Sequence, residues 1–395
     1  MKQIPVLLIT GYLGSGKTTL VNKVLSNRKG IRFAVIVNDI GEVNIDASLI
    51  AKGGIVGQND ESLVALQNGC ICCTLKMDLV KQIHDITAMG KFDYIVIEAS
   101  GVCEPEPIAR TICSIPELGP AYNKDGEARL DCIVTVVDAL RMRDEFACAK
   151  DLLRGNLDED DIENLVIEQV EFCNIILLNK ASEVSPAELG KVREIIRQLQ
   201  PKAEIIECDF GDVELEKLLN TGKFDYDSVA ASAAWISAVE GELPEDDDDD
   251  DDEHEEHHGH EHHHEHHHDH GETEEYGIGT YVYYNRRPFD INKFDNFVAK
   301  HWPFGIIRAK GICYFTDQPD TCYLFEQAGH QVSLKDAGQW YATADPEELR
   351  IMMERDANLR RDWDPEYGDR MQKLVFIGQQ LDRTAIKAAL DFCLE

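Results

Sequence analysis

Through its first 210 residues the chain alternates short, almost unbroken apolar runs with longer amphipathic stretches. Val6-Leu7-Leu8-Ile9, Arg32 to Val37, Tyr94 to Ile97, Cys132 to Val137, Asn174 to Leu178 and Ala203 to Cys208 are rich in Val, Ile and Leu without polar alternation. Runs of that kind are strands covered on both faces. Between them, Thr19 to Leu25, Thr74 to Met89 and Pro186 to Gln200 carry helical spacing, the last opened by Ser185-Pro186. Ser62 to Leu66 is a weaker apolar segment. Strands and helices alternating in this way predict an α/β fold, a mostly parallel sheet with helices on both faces.

After Tyr276 the pattern changes. Ile278 to Tyr284, Lys310 to Thr316, Tyr323 to Gln327 and Lys373 to Ile377 read as strands, and Asp290 to His301, Glu347 to Arg355 and Arg383 to Phe392 as helices. A smaller α+β C-terminal domain is expected, with Trp302, Trp340 and Trp363 as core residues. The predicted organisation is 1–225, a nucleotide domain; 226–275, a disordered acidic and His-rich linker; and 276–395, the second domain.

The first strand runs directly into Gly11-Tyr12-Leu13-Gly14-Ser15-Gly16-Lys17-Thr18-Thr19, the spacing G-x-x-x-x-G-K-[ST]. Gly11, Gly14, Ser15 and Gly16 let backbone N–H groups converge on phosphate oxygens, Lys17 adds a point charge, and Thr18 offers a hydroxyl to Mg²⁺, with Thr19 opening the helix. A glycine-rich turn without ligand is the alternative. The strand before and the helix after supply the context that argues for a P-loop NTPase.

Ligands of parallel sheets gather at the carboxyl ends of the strands. Asn38-Asp39-Ile40-Gly41-Glu42 follows the second strand there. Glu98-Ala99-Ser100-Gly101 follows the third, where Glu98 suits an Mg²⁺ shell and Gly101 a backbone N–H to a γ-phosphate. Asn179-Lys180-Ala181-Ser182 is spaced like the guanine-reading N-K-x-D. Ser182 cannot accept two hydrogen bonds as Asp does, so the expectation is that Asn179 and Lys180 pack the base, with a solvated loop as the alternative.

The formal charge is −35, and about half of it lies in Glu245 to Glu275, with 17 Asp and Glu and no Lys or Arg. This balance argues against a nucleic-acid surface or an anionic membrane and suits cations. No apolar run is long enough to span a bilayer, and a cytoplasmic location is expected. In that compartment the 12 cysteines are expected as thiols. Cys70-Ile71-Cys72-Cys73 is dense enough for a thiolate metal site, completed by Asp39 or Glu42 from the neighbouring strand end. Soft ligands favour Zn²⁺ or another divalent transition metal. Cys132, Cys148, Cys173, Cys208, Cys313, Cys322 and Cys393 read instead as single buried thiols. Glu245 to His270 holds 11 of the 14 His and gathers divalent metal weakly, or is an inert solvated linker.

Taken together, Gly11 to Thr19, Val37-Asn-Asp-Ile-Gly-Glu-Val43, Asn68-Gly-Cys-Ile-Cys-Cys73, Ile97-Glu-Ala-Ser-Gly101, Asn179-Lys180, Trp363-Asp-Pro-Glu-Tyr-Gly-Asp369 and Leu374-Val-Phe-Ile-Gly378 resemble the CobW-type metal-binding GTPases, YjiA-like proteins among them. The resemblance implies a SIMIBI-type GTPase domain, a CobW C-terminal domain, low GTPase activity and delivery of Zn²⁺ or a related metal to a client metalloprotein. By position it implies that Lys17, Thr18 and Glu98 serve GTP and Mg²⁺, and that Cys70, Cys72 and Cys73 bind metal with Glu42 as helper. The family usually has Asp where this chain has Ser182. Two other functions stay open: an ATP-dependent assembly or activating factor, and a passive His-rich metal buffer. Homo-oligomerisation is open as well.

Overall fold

A computed structural model describes residues 3–26, 30–37, 76–119, 122, 126–144, 160–233, 277–328 and 331–395. It divides into two compact units, Met1–Ser237 with Gln327–Val332, and Ala238–Glu326 with Ser333–Glu395.

The strands of the first unit are β1 (Gln3–Thr10), β2 (Phe33–Val37), β3 (Tyr94–Glu98), β4 (Glu127–Asp138), β5 (Ile175–Asn179) and β6 (Glu204–Glu207). They form one sheet in the order β2-β3-β1-β4-β5-β6, and every neighbouring pair is parallel. The helices are α1 (Lys17–Leu25), α2 (Lys76–Met89), α3 (Pro105–Ser114), α4 (Ala139–Met142), α5 (Asp160–Glu171), α6 (Pro186–Leu199) and α7 (Tyr226–Ala230). The expected α/β architecture is therefore present. The residues of β2, β3 and β5 are buried throughout, which is why those strands read as unbroken apolar runs. Leu20, Val21 and Val24 of α1 pack against Leu7, Ile9, Val35 and Val96 in the core on one side of the sheet.

Several boundaries differ from expectation. β4 is twice as long as the apolar run suggested, since its first turns carry Glu127, Arg129 and Asp131. α3 was hidden by its two prolines, of which Pro105 opens the helix where its missing N–H is harmless. Past residue 225, where a linker was expected, the fold continues as α7. Asp225 caps that helix, Val229 is buried, and Ser232 Oγ accepts from Gln200 Nε2 at 2.7 Å.

In the second unit β7 (Ile278–Asn285), β8 (Ile306–Phe315), β9 (Gln318–Ala328), β10 (Gln331–Gln339) and β11 (Gln372–Gln379) lie in the order β10-β9-β8-β11-β7, with β11 antiparallel to both neighbours. Helices α8 (Ile291–Lys300) and α10 (Arg383–Cys393) flank, in chain order, α9 (Pro346–Arg355). Phe294, Phe297, Ile386 and Leu390 of α8 and α10 close the core over Phe315, Leu374 and Phe376. β10 was missed because it is a mostly exposed edge strand whose apolar alternation stops after Val332 and Leu334. Trp340 is buried as expected, and Trp302 packs against the aromatic core. The Trp363 to Asp369 motif is a structural turn. Asp364 Oδ1 accepts from Glu366 N and Tyr367 N, and the Asp369 carboxylate from Tyr341 N and Ala342 N.

Candidate functional site: a phosphate loop at the strand ends

Parallel registration brings the strand ends to one edge. Ile9 is level with Glu98, Val37 with Glu98, Thr10 with Thr135, and Asp138 with Asn179. From this edge Gly11 to Gly16 arch over into α1. Gly11, Gly14 and Gly16 have φ of +132°, +77° and +111°, the region that glycine alone enters without strain. Space forbids a side chain as well. A Cβ on Gly11 would lie 2.2 Å from Val136 O, and one on Gly16 2.4 Å from Asn179 Nδ2. At Gly14 nothing lies within 4 Å, so the backbone there faces an open approach.

Lys17 is 8% exposed and donates to Tyr12 O at 3.1 Å, which folds its ammonium back over the loop. Thr18 Oγ1 donates to Glu98 Oε1 at 2.8 Å, joining the start of α1 to the end of β3. Glu98 is 1% exposed. Ser15 Oγ is buried and makes no hydrogen bond among the described residues. A cradle of positive-φ glycines, an orphaned hydroxyl inside it and a hydroxyl–carboxylate pair at its foot fit a bound nucleotide and Mg²⁺.

Gly101 lies against the loop so closely that a Cβ there would sit 2.7 Å from Leu13 N. Buried Gln169 of α5 donates to Gly101 O at 3.3 Å and Cys103 O at 3.1 Å. Asn179, 2% exposed, ties the far end together. Its Nδ2 donates to Ser15 O at 2.8 Å, and its Oδ1 accepts from Gly211 N at 3.1 Å. Lys180, in the left-handed region, pairs with Asp138. Asp138 Oδ1 also caps α4 through Leu140 N and Arg141 N. Ser182 donates from both N and Oγ to Asp209 Oδ1. Sequence reasoning missed Asp138, Gln169 and Asp209. Asp138 and Asp209 each close an apolar strand and were visible as strand-end carboxylates; nothing local marked Gln169.

Asp39, Glu42, Cys70, Cys72 and Cys73, together with the segment Ser62 to Leu66 and the tract Glu245 to His270, lie outside the described residues. Among the described residues no cluster of His, Cys, Asp and Glu is arranged to hold a metal ion. Burial pushes the thiols of Cys132, Cys173 and Cys322 up to about 12, and those of Cys208 and Cys393 up to about 11. Cys313 is raised further by the same cause. They are protonated core thiols, as expected of isolated cysteines. Cys103 departs from the all-thiol expectation. It is disulfide-bonded.

Residues 5–207 match the CobW/HypB/UreG nucleotide-binding domain, and residues 278–394 the cobalamin synthesis protein CobW C-terminal domain. The chain belongs to the CobW family. Over its whole length this CobW-family chain is 32% identical to zinc-regulated GTPase metalloprotein activator 1 of Dictyostelium discoideum, covering 80% of that protein. Over 55% of its length it is 32% identical to the zinc chaperone CobW of Pseudomonas aeruginosa, covering 60% of that protein. The crystal structure of Zn(II)-bound YjiA GTPase from E. coli is 22% identical, with full coverage of both chains and a TM-score of 0.40. No helix among the described residues is long and apolar enough to cross a membrane.

Proposed function

We propose that the chain is a metallochaperone: it hydrolyses GTP at the Gly11–Thr18 loop and uses the nucleotide state to time the release of Zn²⁺, or a related divalent metal, to a client metalloprotein. The chain is a GTP-hydrolysing enzyme. Its strand-end loops hold the triphosphate, Lys17 neutralises phosphate charge, and Gly101 N–H meets the γ-phosphate end. Thr18 and Glu98 would hold Mg²⁺, which when bound supplies neutralisation of charge on the β- and γ-oxygens. Cys70, Cys72 and Cys73 take the cargo metal, with Asp39 or Glu42 completing a tetrahedral set.

The observation that carries this reading is the position of Glu98. It receives the Thr18 hydroxyl and is in register with Val37, the last described residue before the segment that contains Asp39, Glu42 and the cysteines. One strand pairing thus joins the phosphate loop to the end of β2. Zinc-chaperone and zinc-regulated GTPase relatives support the cargo.

The test is a zinc competition titration of protein lacking residues 245–270, carried out with GTP analogue, GDP and ATP analogue. Zinc affinity should differ between GTP analogue and GDP by roughly 5- to 150-fold, and zinc should shift the two nucleotide affinities by the same ratio. Equal zinc affinity in both guanine states would reject timed release. A response to the ATP analogue alone would favour an ATP-dependent assembly factor.

A further inference from the structure

We propose, on the GTP reading above, that guanine is read by the loop after β6. Asp209 supplies the carboxylate that Asn179-Lys180-Ala181-Ser182 lacks, and Phe210 supplies the stacking face.

Asp209 is delivered directly to position 182. Ser182 N and Oγ donate to the same oxygen, Asp209 Oδ1, at 3.1 and 2.9 Å. The delivery is rigid. Ala181 N donates to Cys208 O at 3.2 Å, and Gly211 N donates to the buried Asn179 Oδ1 at 3.1 Å. Through Nδ2 the same Asn179 holds Ser15 O, so the β6 loop is fastened to the phosphate loop by a single side chain. Gly211 lets it approach, since a Cβ there would sit 3.2 Å from Leu20 Cα in the first turn of α1.

Phe210 lies between these anchors and is 76% exposed. Its φ is +54°, a conformation that bulky residues rarely adopt. An aromatic held in that conformation and turned toward water, inside a pinned loop at the nucleotide edge, is a platform for a flat ligand.

The acceptors match one base. A carboxylate has two lone pairs on each oxygen; Oδ1 takes both Ser182 donors, and Oδ2 makes no hydrogen bond among the described residues. Ser182 Oγ, having given its proton to Oδ1, keeps lone pairs beside Oδ2. Two adjacent acceptors are the complement of the adjacent N1–H and 2-amino groups of guanine. Adenine presents a lone pair at N1 and would leave the carboxylate facing it, a mismatch that polar sites reject strongly.

Asp209→Asn in the full chain tests this. The amide keeps an oxygen for Ser182 and replaces Oδ2 by an NH₂ donor, which suits xanthine, whose C2 carries a carbonyl. GDP affinity should fall at least tenfold and XDP affinity rise, with the melting temperature unchanged. Wild type should bind IDP, which lacks the 2-amino group, more weakly than GDP. Phe210→Ala should weaken GDP and ADP by a similar factor, about tenfold for one lost stack. Should D209N fold poorly, Ser182→Ala is the second arm: it removes the acceptor for N1–H, which guanine and hypoxanthine share, so GDP and IDP affinities should fall by a similar factor. A folded D209N that keeps the wild-type preference for GDP over XDP, or an S182A with unchanged GDP affinity, overturns the reading by Asp209 and Ser182. That outcome differs from failure of the GTP reading itself, in which the wild-type chain binds GDP no better than ADP.

Discussion

Lys17 and Ser15 show how much of the phosphate loop's chemistry is set by burial. Lys17 is folded inward onto Tyr12 O, so its charge is held at the loop before any ligand arrives. Lys17→Ala should lower GTP turnover at least a hundredfold by removing a preorganised charge from the transferring phosphoryl group, with thermal stability little changed. Steady-state phosphate release with a parallel melting curve decides it, and full turnover in a clean preparation would sink the nucleotide mechanism. Ser15 Oγ, buried without a partner among the described residues, already bears a desolvation penalty of about 1–3 kcal/mol. Ser15→Ala should therefore leave the nucleotide-free protein as stable as wild type or slightly more so, while weakening GDP binding. If the variant melts well below wild type, the hydroxyl has a structural partner and no ligand need be invoked.

At the scale of elements, the C-terminal sheet carries its own electrostatic clamp. Glu326 of β9 is buried beside Lys310 of β8 and Lys335 of β10, with Arg308 at 4.0 Å. Burial alone raises its pKa, but attraction to Lys310 and hydrogen bonds from Lys310 and Lys335 outweigh it, bringing the carboxyl from 4.5 to about 2. A folded pKa below the unfolded one adds stability that is complete above about 4.5 and is lost as pH falls toward 2, roughly 3 kcal/mol at full effect. Urea titrations of wild type and Glu326→Gln should thus converge as pH drops through that window. The variant should be less stable by roughly 3 kcal/mol near neutrality, since it removes the carboxylate charge that Lys310 and Lys335 pair with. Parallel offsets at every pH would show that the carboxylate charge is not the cause.

The elements legible in the sequence were those whose partners are local or whose burial is two-sided. β2, β3 and β5 announced themselves by unbroken Val, Ile and Leu, and the loop from Gly11 to Thr18 by residue types that only phosphate binding requires together. The edge strand β10 did not, because most of its side chains face water and its alternation ends after Val332 and Leu334. At the site, Ser182 read as a missing acceptor. The carboxylate it touches belongs to another strand end, 27 positions away, and the contact is created by the β5–β6 pairing. Gln169 was invisible for the same reason: its partners, Gly101 and Cys103, lie 68 and 66 positions off.

For the whole molecule, the acidic and His-rich tract and the thiolate motif answer different questions about metal. On the proposed reading the tract would offer many weak imidazole sites, whereas the cysteines would have to lose protons to bind tightly. Cys72→Ser should abolish the tight zinc site while leaving GDP affinity within a factor of two or so, because the sulfur touches cargo and not phosphate. In protein lacking residues 245–270, zinc affinity should fall steeply as pH drops toward 6, as proton competition for thiolates demands. A flat pH profile, or tight binding that survives the cysteine change, would move the cargo to the imidazoles and make the protein a buffer.

The burial of the remaining thiols has a practical consequence. Cys132, Cys173, Cys208, Cys313, Cys322 and Cys393 are protonated and enclosed or partly enclosed, and alkylating reagents attack the thiolate. A brief pulse of iodoacetamide at neutral pH will therefore pass over these six of the 12 cysteines. Cys113 is exposed although burial raises its thiol too, so it labels slowly but independently of metal and serves as an internal standard for the peptides of Cys70, Cys72 and Cys73. Should those three sulfurs hold the cargo metal as proposed, their protection from the reagent would follow occupancy through a GTP turnover without any foreign probe.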